Sequence, residues 1–134
     1  MSSKFDIKDG LLYTKDHEWA SSKPDGIEVG ITSYAVYQLG DITLVNLDVK
    51  VGDSIAAGKA FGTIESVKTL SDLFSPISGK VARINGELES RPELVNEDCY
   101  GTGWMVVIAP SDPAEKDKLL SPSAYRELLE TSAH

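Results

Sequence analysis

Glycine and proline break this chain into short pieces. Its 134 residues include 11 Gly and 6 Pro. The apolar runs between them are mostly of strand length, which points to many short strands and tight turns. The clearest run is 45–51, where Val45, Leu47, Val49 and Val51 alternate with Asn46, Asp48 and Lys50. That alternation predicts a half-buried strand with one face inward. Ile27, Val29 and Ile31 alternate with Glu28 and Gly30, after a turn over 21–26 in which Pro24, Asp25 and Gly26 supply the turn chemistry. Residues 11–14, 60–66, 69–74 and 81–85 read as further strands. The unbroken apolar run "WMVVIA", 104–109, predicts a strand buried on both faces.

Helical signals are short until the tail. Thr32 can cap a helix over 33–39 that Gly40 would end, and 91–98 predicts a helical turn after Pro92. Near the C-terminus, Asp112, Pro113 and Glu115 resemble a capping box with proline at the first helical position. Ser121 and Pro122 repeat that start signal, and Tyr125, Leu128 and Leu129 then form one apolar stripe. The expected fold is mainly β, a sandwich or barrel with short helices, including a C-terminal one. The length fits a single domain over 1–134 with a helical extension at about 112–130.

Charge narrows the function. There are 21 acidic residues against 13 basic, a net charge of −8. This is the opposite of a nucleic-acid footprint and unsuited to an anionic membrane. No apolar run is long enough for a signal peptide or a membrane span. A reducing cytoplasm is the default location, with a mature mitochondrial protein, its transit peptide removed, as the alternative. The single cysteine, Cys99, excludes an internal disulfide, and His17 lacks a second histidine at metal spacing, so no metal is expected. Without a nucleophile–histidine pairing or a glycine-rich phosphate loop, a free-standing enzyme is the weakest reading.

The stretch "GTIESVKTLSDLFSPISGKV", 62–81, holds one lysine between two β-prone arms. Lys68 is a poor turn former, and its neighbours Val67 and Thr69 are β-branched and stiffen the chain. The arrangement displays one flexible amine on a rigid mount, as a modifying enzyme needs. The competing reading is an ordinary solvated lysine, with Glu65 and Asp72 as surface charges. Exposed ion pairs are worth only ~0–1 kcal/mol, so stability alone would not select the pattern.

This stretch resembles the lipoyl-attachment motif of the glycine cleavage system H protein family. "LLYTKDHEW" (11–19), "VGIT" (29–32), "LGDI" (39–42), "PELVNEDCYGTGWM" (92–105), "SDP" (111–113) and "AYRELL" (124–129) extend the likeness along nearly the whole chain. The resemblance implies a flattened lipoyl-domain-type barrel of two antiparallel sheets, with the lipoyl lysine on a hairpin. Lys68 would carry lipoic acid in amide linkage, with Glu65, Val67 and Thr69 completing the attachment motif. It implies a non-catalytic carrier of the aminomethyl group of glycine. The group is loaded by a pyridoxal-phosphate glycine decarboxylase and passed to a tetrahydrofolate-dependent aminomethyltransferase. Dihydrolipoyl dehydrogenase then reoxidises the carrier, and a lipoate ligase or lipoyl transferase installs the arm. Glu18 and Asp72 would line the cleft in which the loaded arm docks.

Two carriers compete with this reading. Biotin domains favour methionine on both sides of the lysine, where Val67 and Thr69 stand. An H-like carrier used in lipoate relay or sulfur oxidation would share the attachment motif. Two departures from the family pattern, Val36 in place of a common glutamine and Asn46 in place of a common acid, bear on the choice of partners, whereas Cys99, in place of a common proline, reads as a tolerated small residue.

Overall fold

A computed structural model describes residues 7–132. Among the described residues, nine strands and four α-helices follow one another in the order β1 (Leu12–Tyr13), β2 (Glu18–Lys23), β3 (Gly26–Ile31), α1 (Ser33–Leu39), β4 (Ile42–Leu47), β5 (Ser54–Ile55), β6 (Ala60–Ser66), β7 (Leu70–Phe74), β8 (Gly79–Ile84), α2 (Glu87–Ser90), α3 (Leu94–Glu97), β9 (Val106–Pro110) and α4 (Pro122–Ser132). A 3-10 helix, Pro113–Lys118, precedes α4. The strands form two antiparallel sheets, one ordered β1-β2-β3-β9-β8-β5 and the other β4-β6-β7.

The main core lies between the sheets. Val29, Ile31, Val81, Val106 and Ile108 from the larger sheet meet Val45, Phe61, Ile64 and Leu73 from the smaller. Strand alternation produces this arrangement, because residues two apart share a face. Ala20 pairs with Val29 on the inner face, while the next pair, Trp19 and Gly30, faces the other way. There the Trp19 ring lies on the backbone of Gly30, and a Cβ on Gly30 would stand only 2.6 Å from ring carbon Cζ2. Trp19 belongs to a second apolar cluster with Tyr13, Tyr125 and Leu129. This cluster joins α4 to the larger sheet, and the Tyr13 and Tyr125 rings stack 4.6 Å apart and nearly parallel.

Most expected elements are present. The helix after Thr32 spans the expected residues, with the Thr32 hydroxyl accepting from the Ala35 N–H and the Gly40 N–H donating to the Val36 carbonyl. Met105, Val106, Val107 and Ile108 are wholly buried, as a doubly covered strand requires. The alternation from Val45, however, outlasts its strand. β4 ends at Leu47, and Val51 is 63% exposed. A turn captures the chain first: the Lys50 N–H donates to the Asp53 carboxylate at 2.8 Å. The turn expected over 21–26 shrinks to Pro24 and Asp25, because Lys23 pairs directly with Gly26. In the tail, Asp112 caps as expected, but Glu115 does not return to it. Its carboxylate instead accepts from the N–H and hydroxyl of Ser78, and the helix that follows is 3-10 rather than α. Strand β5 and helix α2 carried no clear signal in the sequence.

Candidate functional site

Lys68 stands at the tip of the β6–β7 hairpin, exposed, with Val67 67% exposed beside it. The tip is built from its own residues first. The Ser66 N–H donates to the Thr69 carbonyl at 2.8 Å, and the Ser66 hydroxyl oxygen accepts from the N–H groups of both Lys68 and Thr69 at 3.2 Å. This serine-centred turn supplies the donor satisfaction that Gly or Asn would otherwise bring.

A neighbouring strap then clamps the tip. The Val67 N–H donates to the Asp41 carbonyl at 3.0 Å. On either side of Asp41, Asn96 of α3 accepts from the Ile42 N–H at 2.8 Å and donates to the Gly40 carbonyl at 3.0 Å. Gly40 has a positive φ of 79°, where a side chain is strained. A Cβ there would meet the Lys68 side chain at 3.4 Å, so the lysine stem runs beside this glycine. Lys68 is therefore an exposed amine on a braced root. Glu65 is exposed in the row Leu44, Glu65, Leu70 across the smaller sheet, and Thr69 is exposed at the tip.

A cleft of about 470 Å³ opens along β7, bordered by His17, Glu18, Tyr34, Leu39, Ile64 and Asp72. It brings together the two carboxylates singled out in the sequence, Glu18 and Asp72. Asp72 is exposed, four residues along the strand from Lys68 and hence roughly 13 Å away by strand rise. Glu18 is only 2% exposed. It neither sits in solvent nor pairs with Lys15; its carboxylate accepts from the Thr14 hydroxyl at 2.7 Å and from the Phe74 N–H at 3.2 Å. Burial pushes its pKa up to about 7, although both hydrogen bonds pull the other way. The His17 ring lies 4.6 Å from Tyr34, and burial lowers its pKa despite Asp16. A slightly larger depression, about 560 Å³, lies beside Trp19, Asn96 and Cys99 and includes neither carboxylate nor the hairpin.

Sequence reasoning missed Ser66, Gly40 and Asn96 as parts of the site. Gly40 carried a helix-stop signal but no hint of its place beside Lys68. Asn96 acts across more than fifty residues of sequence, which no local pattern reports. Cys99 is half-buried, and its carbonyl accepts from Trp19 Nε1 at 3.0 Å. Among the described residues, no cluster of His, Cys, Asp and Glu could hold a metal ion, and no helix is long and apolar enough to cross a membrane.

The family described as glycine cleavage H-protein matches residues 11–132. The chain belongs to this family. The chain is 51% identical to the glycine cleavage system H protein of Magnetococcus marinus over 125 residues, 93% of this chain and 89% of the relative. To that of Rubrobacter xylanophilus it is 50% identical, over 93% of this chain and 96% of the relative. A crystal structure of an H protein from Mycobacterium marinum superposes with a TM-score of 0.79 at 37% identity, over 95% of this chain and 99% of that one. The H-protein family accounts for the two-sheet fold with its C-terminal helix, and for a carrier component rather than a catalyst.

Proposed function

We propose that this chain is the lipoyl carrier of the glycine cleavage system, acting as one domain over 1–134 with a helical extension at its C-terminal end. The observation that carries this reading is Lys68, displayed on a braced hairpin beside a cleft that holds Glu18 and Asp72. The residues present suit lipoic acid in amide linkage: an exposed primary amine, a tip stiffened on both sides, and no bulky neighbour at Gly40. When attached, the group supplies a dithiolane whose sulfur takes up the aminomethyl group of glycine.

The chain's own residues hold that cargo. Its amine is cationic, and carboxylates are its natural acceptors. Asp72 offers one at the open edge, and Glu18 a buried one on the cleft wall. A carboxyl with pKa near 7 is poised: it releases its proton to solvent as a cation arrives and regains it when the cation leaves. With the arm docked, Leu39, Ile64 and Tyr34 shield the cargo from water, which would otherwise hydrolyse it to the free thiol, formaldehyde and ammonia.

The proposed partners are glycine decarboxylase, aminomethyltransferase, dihydrolipoyl dehydrogenase and a lipoate ligase or lipoyl transferase, with the cytoplasm as the shared compartment. Intact mass of protein from the native host should show a lipoyl increment that Lys68→Arg abolishes. A reconstituted glycine–CO2 exchange assay should depend on the same lysine. Lipoylated protein that supports no exchange would send the function to another lipoyl pathway. Asp72→Ala should shorten the lifetime of the loaded protein several-fold in isolation.

A further inference from the structure

A buried hydrogen-bond chain runs from α1 to the cleft wall through the C-terminal helix. The Thr32 hydroxyl lies 2.7 Å from the Tyr125 hydroxyl, which lies 2.8 Å from His17 Nδ1. Thr32 and Tyr125 are both fully buried. Thr32 already accepts from the Ala35 N–H at 3.2 Å. Its own proton therefore has one described acceptor, the Tyr125 oxygen. Tyr125 then donates its proton to His17 Nδ1. In the reverse direction Thr32 would accept twice and leave its own proton without a described acceptor in a dry site, which is costly. The direction of the chain is thus set by satisfaction at its buried end.

Three further contacts hold His17 in place. It takes a positive φ of 69°, an uncommon state for a non-glycine residue. Its N–H donates to the Thr14 carbonyl, and its own carbonyl accepts from the Thr32 N–H. Its ring packs 4.6 Å from Tyr34, also on the cleft wall. With Nδ1 an acceptor, the neutral ring carries its proton on Nε2. No described residue bonds to Nε2, and no buried side-chain nitrogen or oxygen among the described residues lacks a partner. Nε2 is therefore accessible to solvent, on a residue that borders the cleft.

We propose that Tyr125 is a positioning residue that fixes His17 as the Nε2–H tautomer, so that the cleft presents a hydrogen-bond donor beside the carboxylates of Asp16, Glu18 and Asp72. The donor complements them: carboxylates hold the cationic end of the cargo, whereas an N–H suits the carbonyl or sulfur of the arm. The functional half of this inference rests on the proposed carrier role and its cleft.

Tyr125→Phe tests it, because phenylalanine preserves the stack on Tyr13 and removes only the hydroxyl. Nitrogen-15 NMR of the imidazole reads the tautomer directly in the unlipoylated protein. The wild type should show an unprotonated Nδ1 and a protonated Nε2, and Tyr125→Phe should mix the two forms. Thr32→Val and Thr32→Ser should both keep the wild-type pattern, because the buried Tyr125 proton still has His17 Nδ1 as its one described acceptor. In loaded protein, Tyr125→Phe should shorten cargo lifetime roughly three- to tenfold, as loss of one oriented hydrogen bond does. An unchanged tautomer in Tyr125→Phe, with the fold intact by thermal melting, overturns the proposal. So does an unchanged lifetime where Asp72→Ala shortens it. If neither variant alters the lifetime, the cleft reading itself fails.

Discussion

The N–H of Val67 donates to the carbonyl of Asp41, and that bond helps to join the hairpin tip to a strap held at both ends by Asn96. The root of Lys68 is therefore braced from α3, a helix far away in sequence. Asn96→Ala would leave the Ile42 N–H and the Gly40 carbonyl without their partner. A cost of about 1–3 kcal/mol is expected in chemical denaturation. Amide exchange at Val67 should quicken more than exchange in β9. Unaltered protection at Val67 would show that the tip is braced by something else.

Ser66 acts at closer range. Its hydroxyl accepts from two successive amides at the tip. Because the tip is exposed, Ser66→Ala should cost only about 1 kcal/mol in global stability. Amide exchange at Lys68 and Thr69 should nevertheless rise, and lipoate attachment should slow. Equal attachment rates for the two proteins would mean that the turn needs no serine to present the amine.

Glu18 makes stability depend on pH in an unusual direction. Its pKa is about 7 in the folded protein, against an ordinary value of 4.5. Between those values the folded state holds the extra proton, so stability falls as pH rises through the window. The contribution is fully present below the lower value and lost above the upper, about 3 kcal/mol at the limit. Glu18→Gln carries no such charge. Its melting temperature relative to wild type should therefore improve between pH 5 and pH 8, on the order of several degrees. Parallel pH curves for the two proteins would refute the raised pKa.

Gly30 leaves no room for a methyl group. A Cβ would sit 2.6 Å from Trp19 Cζ2 and 2.8 Å from Nε1, whose hydrogen bond to the Cys99 carbonyl fixes the ring. Gly30→Ala should destabilise by about 1–3 kcal/mol, as overpacking does. Tryptophan fluorescence should shift as the ring is displaced. A variant as stable as wild type, with an unmoved spectrum, would show that the ring yields freely.

Local signals were legible where local physics decides the outcome. Thr32 and Gly40 bound α1 because capping is settled within a few residues, and the run ending at Ile108 is buried because its apolar side chains leave no polar face. Its stiff neighbours Val67 and Thr69 marked out Lys68, and the family resemblance added the cleft role of Glu18 and Asp72. Strand ends were less legible: the apolar period through Val51 continued after the Lys50–Asp53 turn had already redirected the backbone. Glu115 shows the same limit, since a capping box and a long-range bond to Ser78 need the same residue.

The sequence by itself determined the strand-rich class, the short helices and the lone lysine between stiff β-branched neighbours. These follow from side-chain period and backbone preference, which act over a few residues. Only the tertiary structure decided that Asn96 braces the tip and that Glu18 is dry enough to hold a proton near neutrality. It also decided that Tyr125 reaches His17. Each depends on groups distant in the chain meeting at hydrogen-bond range, and on the water their packing removes, and both arise only when the sheets and α4 close together.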